Sequence, residues 1–144
     1  MKLSTKGRYG VRLMFDLAMH YGKGPIFLKE IAERQGMSEK YLWQLIPPLK
    51  QAGLVTSTRG AHGGYELSKS PDQMTVREIV SAVEGPLNLV DCVGDPSICA
   101  RKDACIINGV WSEISAKLIH AMDGITLASM VEKQQEQDVL NYVI

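Results

Sequence analysis

Apolar residues recur at helical spacing from the start of the chain. Val11, Met14, Phe15, Leu17 and Ala18 fall on one side of a 3.6-residue repeat, and Ser4 or Thr5 stands where an N-cap belongs. That spacing predicts a helix reaching Tyr21, ended by Gly22, Gly24 and Pro25. A shorter pattern covers Leu28–Gln35 and stops at Gly36. Ser38 then caps a third helix, S-E-K-Y-L-W-Q-L-I, whose buried side is Leu42, Leu45 and Ile46. Pro47 and Pro48 cannot donate to a helical ladder, so a break is expected there, followed by one fresh turn over 49–52 closed by Gly53.

Beyond Gly53 the period changes. L-V-T-S-T-R-G-A-H-G-G-Y-E-L, residues 54–67, reads as two strands around a glycine-rich turn that holds Arg59 and His62. T-V-R-E, beginning at Thr75, is a capping box opening a helix to Val83, ended by Gly85 and Pro86. Residues 87–104 are rich in Asp, Gly and Pro and carry no regular period, which predicts a loop. From Cys105 onward Ile107, Trp111, Ile114, Leu118 and Ala121 follow 4-3-4-3 spacing, an apolar seam along a long helix that ends at Asp123 and Gly124. Thr126 caps a last short helix over 127–132, before an amphipathic tail. The expected fold is mainly α with a small β-hairpin wing. It comprises a winged helix-turn-helix DNA-binding domain over 1–85, a cysteine-containing loop over 86–104, and a dimerisation helix with a C-terminal helix and tail over 105–144. Too little chain remains to cover the seam, so pairing with the same helix of a second copy, a homodimer, is expected.

Two short helices joined by a glycine-containing turn fit the helix-turn-helix pattern. Ser38, Lys40, Tyr41 and Gln44 are polar and lie near the N-terminal end of the third helix, the end that enters a major groove. The hairpin tip offers Arg59, with His62 beside it, to a narrow minor groove. Charge sharpens the picture. The net charge is zero, yet residues 1–70 hold eleven Lys and Arg against five acids, +6, and the rest of the chain carries −6. A basic half suits a polyanion, with Lys6 and Arg8 placed to meet phosphates. An unevenly charged solvated surface and an ordinary tight turn explain these features one at a time. Together they favour double-stranded DNA as the partner, at a roughly palindromic operator.

All three cysteines, Cys92, Cys99 and Cys105, lie within fourteen residues of one another. The first residues lack the apolar core of a signal peptide and no run is long enough to span a bilayer, so a cytoplasmic setting is expected, where disulfides are rare. The odd count also argues against a disulfide framework. The spacing lacks the C-x2-C knuckles of a closed zinc site. His20, His62 and His120 lie on other predicted elements, so no histidine base serves a cysteine nucleophile and no enzyme is expected. Soft thiolates in a flexible loop suit iron–sulfur ligation, which tolerates varied spacing.

The runs STKGRYGVRLMFDLA, KEIAERQGMSEKYLWQLIPPLKQAGLVTSTRGAHGGYELSK and TVREIVSAVEGP resemble the Rrf2 family of bacterial winged-helix regulators, with R-G-A-H-G-G-Y in the wing as a specific signature. The three-cysteine loop before a tryptophan-containing long helix is most similar to the branch that senses iron–sulfur status. The resemblance implies a dimeric transcription factor, a repressor of cluster-assembly genes, in which Cys92, Cys99 and Cys105 ligate the iron of a 2Fe–2S cluster. Two departures stand out. Asn108 occupies the position of that branch's histidine ligand, and Arg8 that of the aspartate used by the nitric-oxide-sensing branch. The fourth ligand is left to Asp91, Asp95, Asp103, a small thiol or water. Trp43 replaces a glutamate that restricts DNA-site choice in relatives. The alternatives are a family relative sensing cysteine supply or nitric oxide, and a small iron–sulfur carrier protein. A carrier has no need of a basic wing.

Overall fold

The computed structural model describes residues 2–143, the side chain of Lys102 excepted. Its elements are α1 (Thr5–Met19), α2 (Leu28–Gln35), α3 (Glu39–Gln51), the strands β1 (Val55–Thr58) and β2 (Gly64–Leu67), α4 (Val76–Glu84), the single turn α5 (Asp91–Gly94), α6 (Ile106–Asp123) and α7 (Leu127–Val143). The apolar stripe of α1 is central. Leu13, Met14 and Leu17 are buried against α4 and α7 on one side and against α2 and α3 on another, with Ile31, Leu49 and Ile79 completing the middle of the core. The result is mainly α with one antiparallel hairpin, as the periodicity predicts.

Local chemistry explains the starts and stops. The Ser4 hydroxyl accepts from Gly7 N at the start of α1. Ser38 Oγ accepts from Tyr41 N at 3.4 Å at the start of α3. Thr75 and Glu78 form the reciprocal capping box of α4, at 3.2 and 3.0 Å. Gly36, at φ +61°, turns the chain between α2 and α3 in the left-handed conformation that only glycine adopts cheaply. In the hairpin, Val55 faces Leu67 and Thr58 faces Gly64. Ile26 adds an isolated antiparallel bridge to the hairpin, exchanging hydrogen bonds of 2.9 and 2.8 Å with Tyr65. A Cβ at Gly64 would lie 2.5 Å from the Ile26 carbonyl, so this approach needs a glycine.

Three expectations are corrected. The break at Pro47 and Pro48 does not occur, and α3 is continuous to Gln51. Leu42, Leu45, Ile46 and Leu49 are buried on both sides of the proline pair and clamp one helical course. The carbonyls left without donors belong to Trp43 and Gln44, which are exposed and can be solvated by water. The last helix is not confined to 127–132 but runs 17 residues, because no glycine or proline stops it and residues 132–137 are Glu, Lys and Gln, good helix formers. Residues 87–104 are not a bare loop. They hold α5 and two 3-10 turns, Pro96–Ile98 and Lys102–Ala104, too short to leave a period in the sequence. Asp95 caps the first of these, accepting from Ser97 N at 2.9 Å.

Candidate nucleic-acid interface and cysteine segment

The helix α2 is locked to α1 by one buried carboxylate. Asp16, 2% exposed, accepts two hydrogen bonds from the Arg34 guanidinium, at 2.7 and 3.1 Å, and one from Gln35 Nε2 at 3.0 Å. The hydrogen bond to Asp16 raises the Arg34 pKa above its ordinary value against the opposing effect of burial, with Asp16 and Glu30 adding Coulombic support. Arg12 donates to the Gln35 carbonyl, and His20 Nδ1 lies 2.8 Å from the Asp16 carbonyl. No period or motif in the sequence marks this group. The available signal was an acid at position 16 inside an otherwise apolar stripe.

Lys40, Trp43 and Gln44 stand exposed on the outer side of α3, and Ser38 is exposed at its cap with its hydroxyl oxygen already accepting from the backbone. Tyr41 is half-buried. Its ring meets Tyr9 edge-on at 5.3 Å, while the Arg8 and Arg12 guanidinium groups sit 5.7 and 5.5 Å from the Tyr9 ring. Lys6 and Tyr41 line one surface hollow, so the N-terminal ends of α1 and α3 share a face. The hairpin continues that face. Lys50 Nζ donates to Ser57 Oγ at 2.9 Å, Trp43 meets Tyr65 edge-on at 6.0 Å, and Arg59 and His62 are exposed at the tip. Arg12 is a basic member of this surface that the sequence pattern did not single out.

Cys92 lies in α5, Cys99 after the first 3-10 turn, and Cys105 at the N-cap of α6. All three are free and half-buried. The segment is pinned to α6 at two points: Leu89 N donates to the buried Ser115 hydroxyl at 3.3 Å, and Asn108 Nδ2 donates to the Cys92 carbonyl at 3.1 Å. Asn108 Nδ2 also lies 3.4 Å from Cys92 Sγ. Among the described residues no three His, Cys, Asp or Glu side chains converge as a set that could hold a metal ion, so the thiols are neighbours in the segment without meeting at one point. Their chemistry does fit iron, being soft donors partly withdrawn from water. The Asn108 amide is already hydrogen-bonded to Cys92.

A winged helix-turn-helix head joined to a long helix is thus in place, and a family model described as "Iron-dependent Transcriptional regulator" matches residues 3–133. The chain belongs to the Rrf2 family. The transcriptional regulator IscR of Sodalis glossinidius is 40% identical over 141 residues, which cover 98% of this chain and 85% of that protein. The solved structure of T. potens IscR superposes with a TM-score of 0.77 at 44% identity, covering 95% of this chain and 90% of that one. CymR, described as the global cysteine regulator of B. subtilis, superposes with a TM-score of 0.75 at 39% identity, covering 92% and 98%. These relatives are transcriptional regulators, and this Rrf2 chain is a DNA-binding transcriptional regulator rather than an enzyme. No helix among the described residues is long and apolar enough to cross a membrane.

Proposed function

We propose that this Rrf2 protein is a cytoplasmic homodimer that senses iron–sulfur status and represses cluster-assembly genes from a roughly palindromic operator. Residues 1–85 form the reading head, 86–104 the cluster-binding segment, and 105–144 the dimerising part, residues 1 and 144 lying outside the described residues. The observation that carries this reading is the placement of Cys92, Cys99 and Cys105. They are three free, half-buried thiols on one segment seated at the start of α6, the helix whose outward side is apolar. Those thiols would hold a 2Fe–2S cluster, which when bound supplies iron–thiolate bonds and a redox-dependent charge. Asp91, Asp95 and Asp103, all exposed, are the protein candidates for a fourth ligand, beside a small thiol or water.

The chain's own residues do the rest. Lys6 and Arg8 meet phosphates, Ser38, Lys40, Tyr41 and Gln44 face base edges in the major groove, and Arg59 with His62 reaches the minor groove from the wing. Drawing the thiols together orders the entrance to α6 and, through the Leu89–Ser115 and Asn108–Cys92 contacts, the spacing of the two heads. A ligand shifts such an equilibrium only by its differential affinity for the two arrangements.

The similarity to CymR supports a second reading, a regulator of cysteine supply with the thiols otherwise employed. Anaerobic purification, an absorption spectrum and iron and sulfide counts separate the two. The cluster reading expects about two iron and two sulfide per chain, with visible absorption abolished in each of Cys92→Ala, Cys99→Ala and Cys105→Ala while the fold persists. Full iron content in any one of these variants removes that cysteine from the ligand set. No iron in the anaerobic wild type leaves the cysteine-supply reading.

A further inference from the structure

Trp43 stands on the outward side of α3 with 53% of its surface in water. Lys40 one turn before it and Pro47 one turn after it are exposed as well. The core makes no use of the indole, since α3 serves the core through Leu42, Leu45, Ile46 and Leu49. It nevertheless rests against one neighbour. The Tyr65 ring meets it edge-on at 6.0 Å with an interplanar angle of 83°, and Tyr65 is anchored by its paired backbone hydrogen bonds to Ile26. The large apolar side chain therefore has one edge braced by the hairpin and the remainder open, amid polar neighbours that suit phosphates and base acceptors. A rigid aromatic of this kind makes contact at low cost in side-chain entropy. A helix in a major groove meets one apolar group among the base edges, the C5-methyl of thymine.

We propose, on the DNA-reading role assigned above to α3, that Trp43 is a specificity-determining residue whose indole packs on the C5-methyl of a thymine in each half-site, selecting A·T there. Braced by Tyr65, the ring fixes which base pair it meets. Lys40 and Gln44, reaching hydrogen-bonding edges, read the neighbouring pairs.

The test uses the full chain. Preferred duplexes are selected from a random pool, and each thymine of the selected site is replaced in turn by uracil, which removes only the methyl. The expected result is a thymine in each half-site whose replacement weakens wild-type binding about 4-fold, the effect of one methyl returned to water. Trp43→Ala then binds the thymine and uracil sites equally, and Trp43→Phe keeps part of the discrimination. Absence of any uracil-sensitive thymine in the wild type overturns the proposal without recourse to a variant. So does undiminished uracil sensitivity in Trp43→Ala. Loss in Trp43→Ala of sensitivity to 7-deazaguanine instead would mean that the indole N–H donates to N7, and methyl reading would be wrong. A pool yielding no preferred sequence overturns base reading by α3 altogether, a failure distinct from the uracil outcomes.

Discussion

A carboxylate buried within an apolar helix face needs a counter-charge, and Asp16 finds it in Arg34, which donates to both of its oxygens, while Gln35 adds a second donor to Oδ2. The partners are unequal. The Asp16 side chain is 3% exposed, whereas that of Arg34 is 38% exposed. Removing the arginine strands a buried charge; removing the carboxylate leaves a guanidinium that water can reach. Arg34→Ala is therefore expected to cost about 3 kcal/mol and Asp16→Asn about half as much, read as shifts in the urea midpoint at unchanged slope. Equal costs would mean that water enters the Asp16 site. The raised Arg34 pKa adds nothing to the pH dependence near neutrality. Stability from a raised group is fully present below its unfolded pKa, which for arginine lies far above neutrality, so it is lost only in strongly alkaline solution.

Among the elements, α3 carries the most internal conflict. It reads as the recognition helix, yet it contains two prolines past its midpoint and stays continuous because four buried aliphatic residues hold it. Its backbone nonetheless lacks two ladder bonds. Pro47→Ala restores one on a solvent-exposed position and is expected to stabilise the fold by about 1 kcal/mol, the helix-interior cost of proline being partly offset by the freer unfolded chain. Thermal or urea unfolding checks this; a destabilised variant would show that the proline ring packs usefully. The segment 86–104 poses the opposite case. Its single turns are too short for mutual support, so its shape depends on the two pins to α6 and leaves the thiols apart.

For the whole molecule the decisive surface is the outer side of α6. Ile107, Val110, Trp111 and Ile114 are exposed there, while Leu118 is half-buried nearer the head. Water on four large apolar residues along some two turns of helix is unfavourable, and in the proposed homodimer a second copy presenting the same surface would remove it. Trp111→Asp is expected to convert a dimer into a monomer by sedimentation with the helical spectrum unchanged, and to reduce affinity for a palindromic site to that for a single half-site. A variant that still sediments as wild type would move the dimer contact elsewhere, Val139, Leu140 and Tyr142 near the end of α7 being the next exposed apolar group.

What the residue pattern determined by itself was α1, α2, α4, the first part of α3 and the seam of α6, because a helix that packs on one side must repeat its apolar residues every three or four positions. The wing was legible from glycine placement, and the charge division from counting. Tertiary structure alone decided the rest. The course of α3 through Pro47 depends on burial on both flanks, which no local rule contains. The Asp16–Arg34 lock joins residues eighteen positions apart, with no period to mark them. The brace between Trp43 and Tyr65 exists only because Ile26 draws the hairpin against the chain before α2. Local propensity is written residue by residue, but which polar and aromatic groups meet is settled by how the packed helices bring distant segments together.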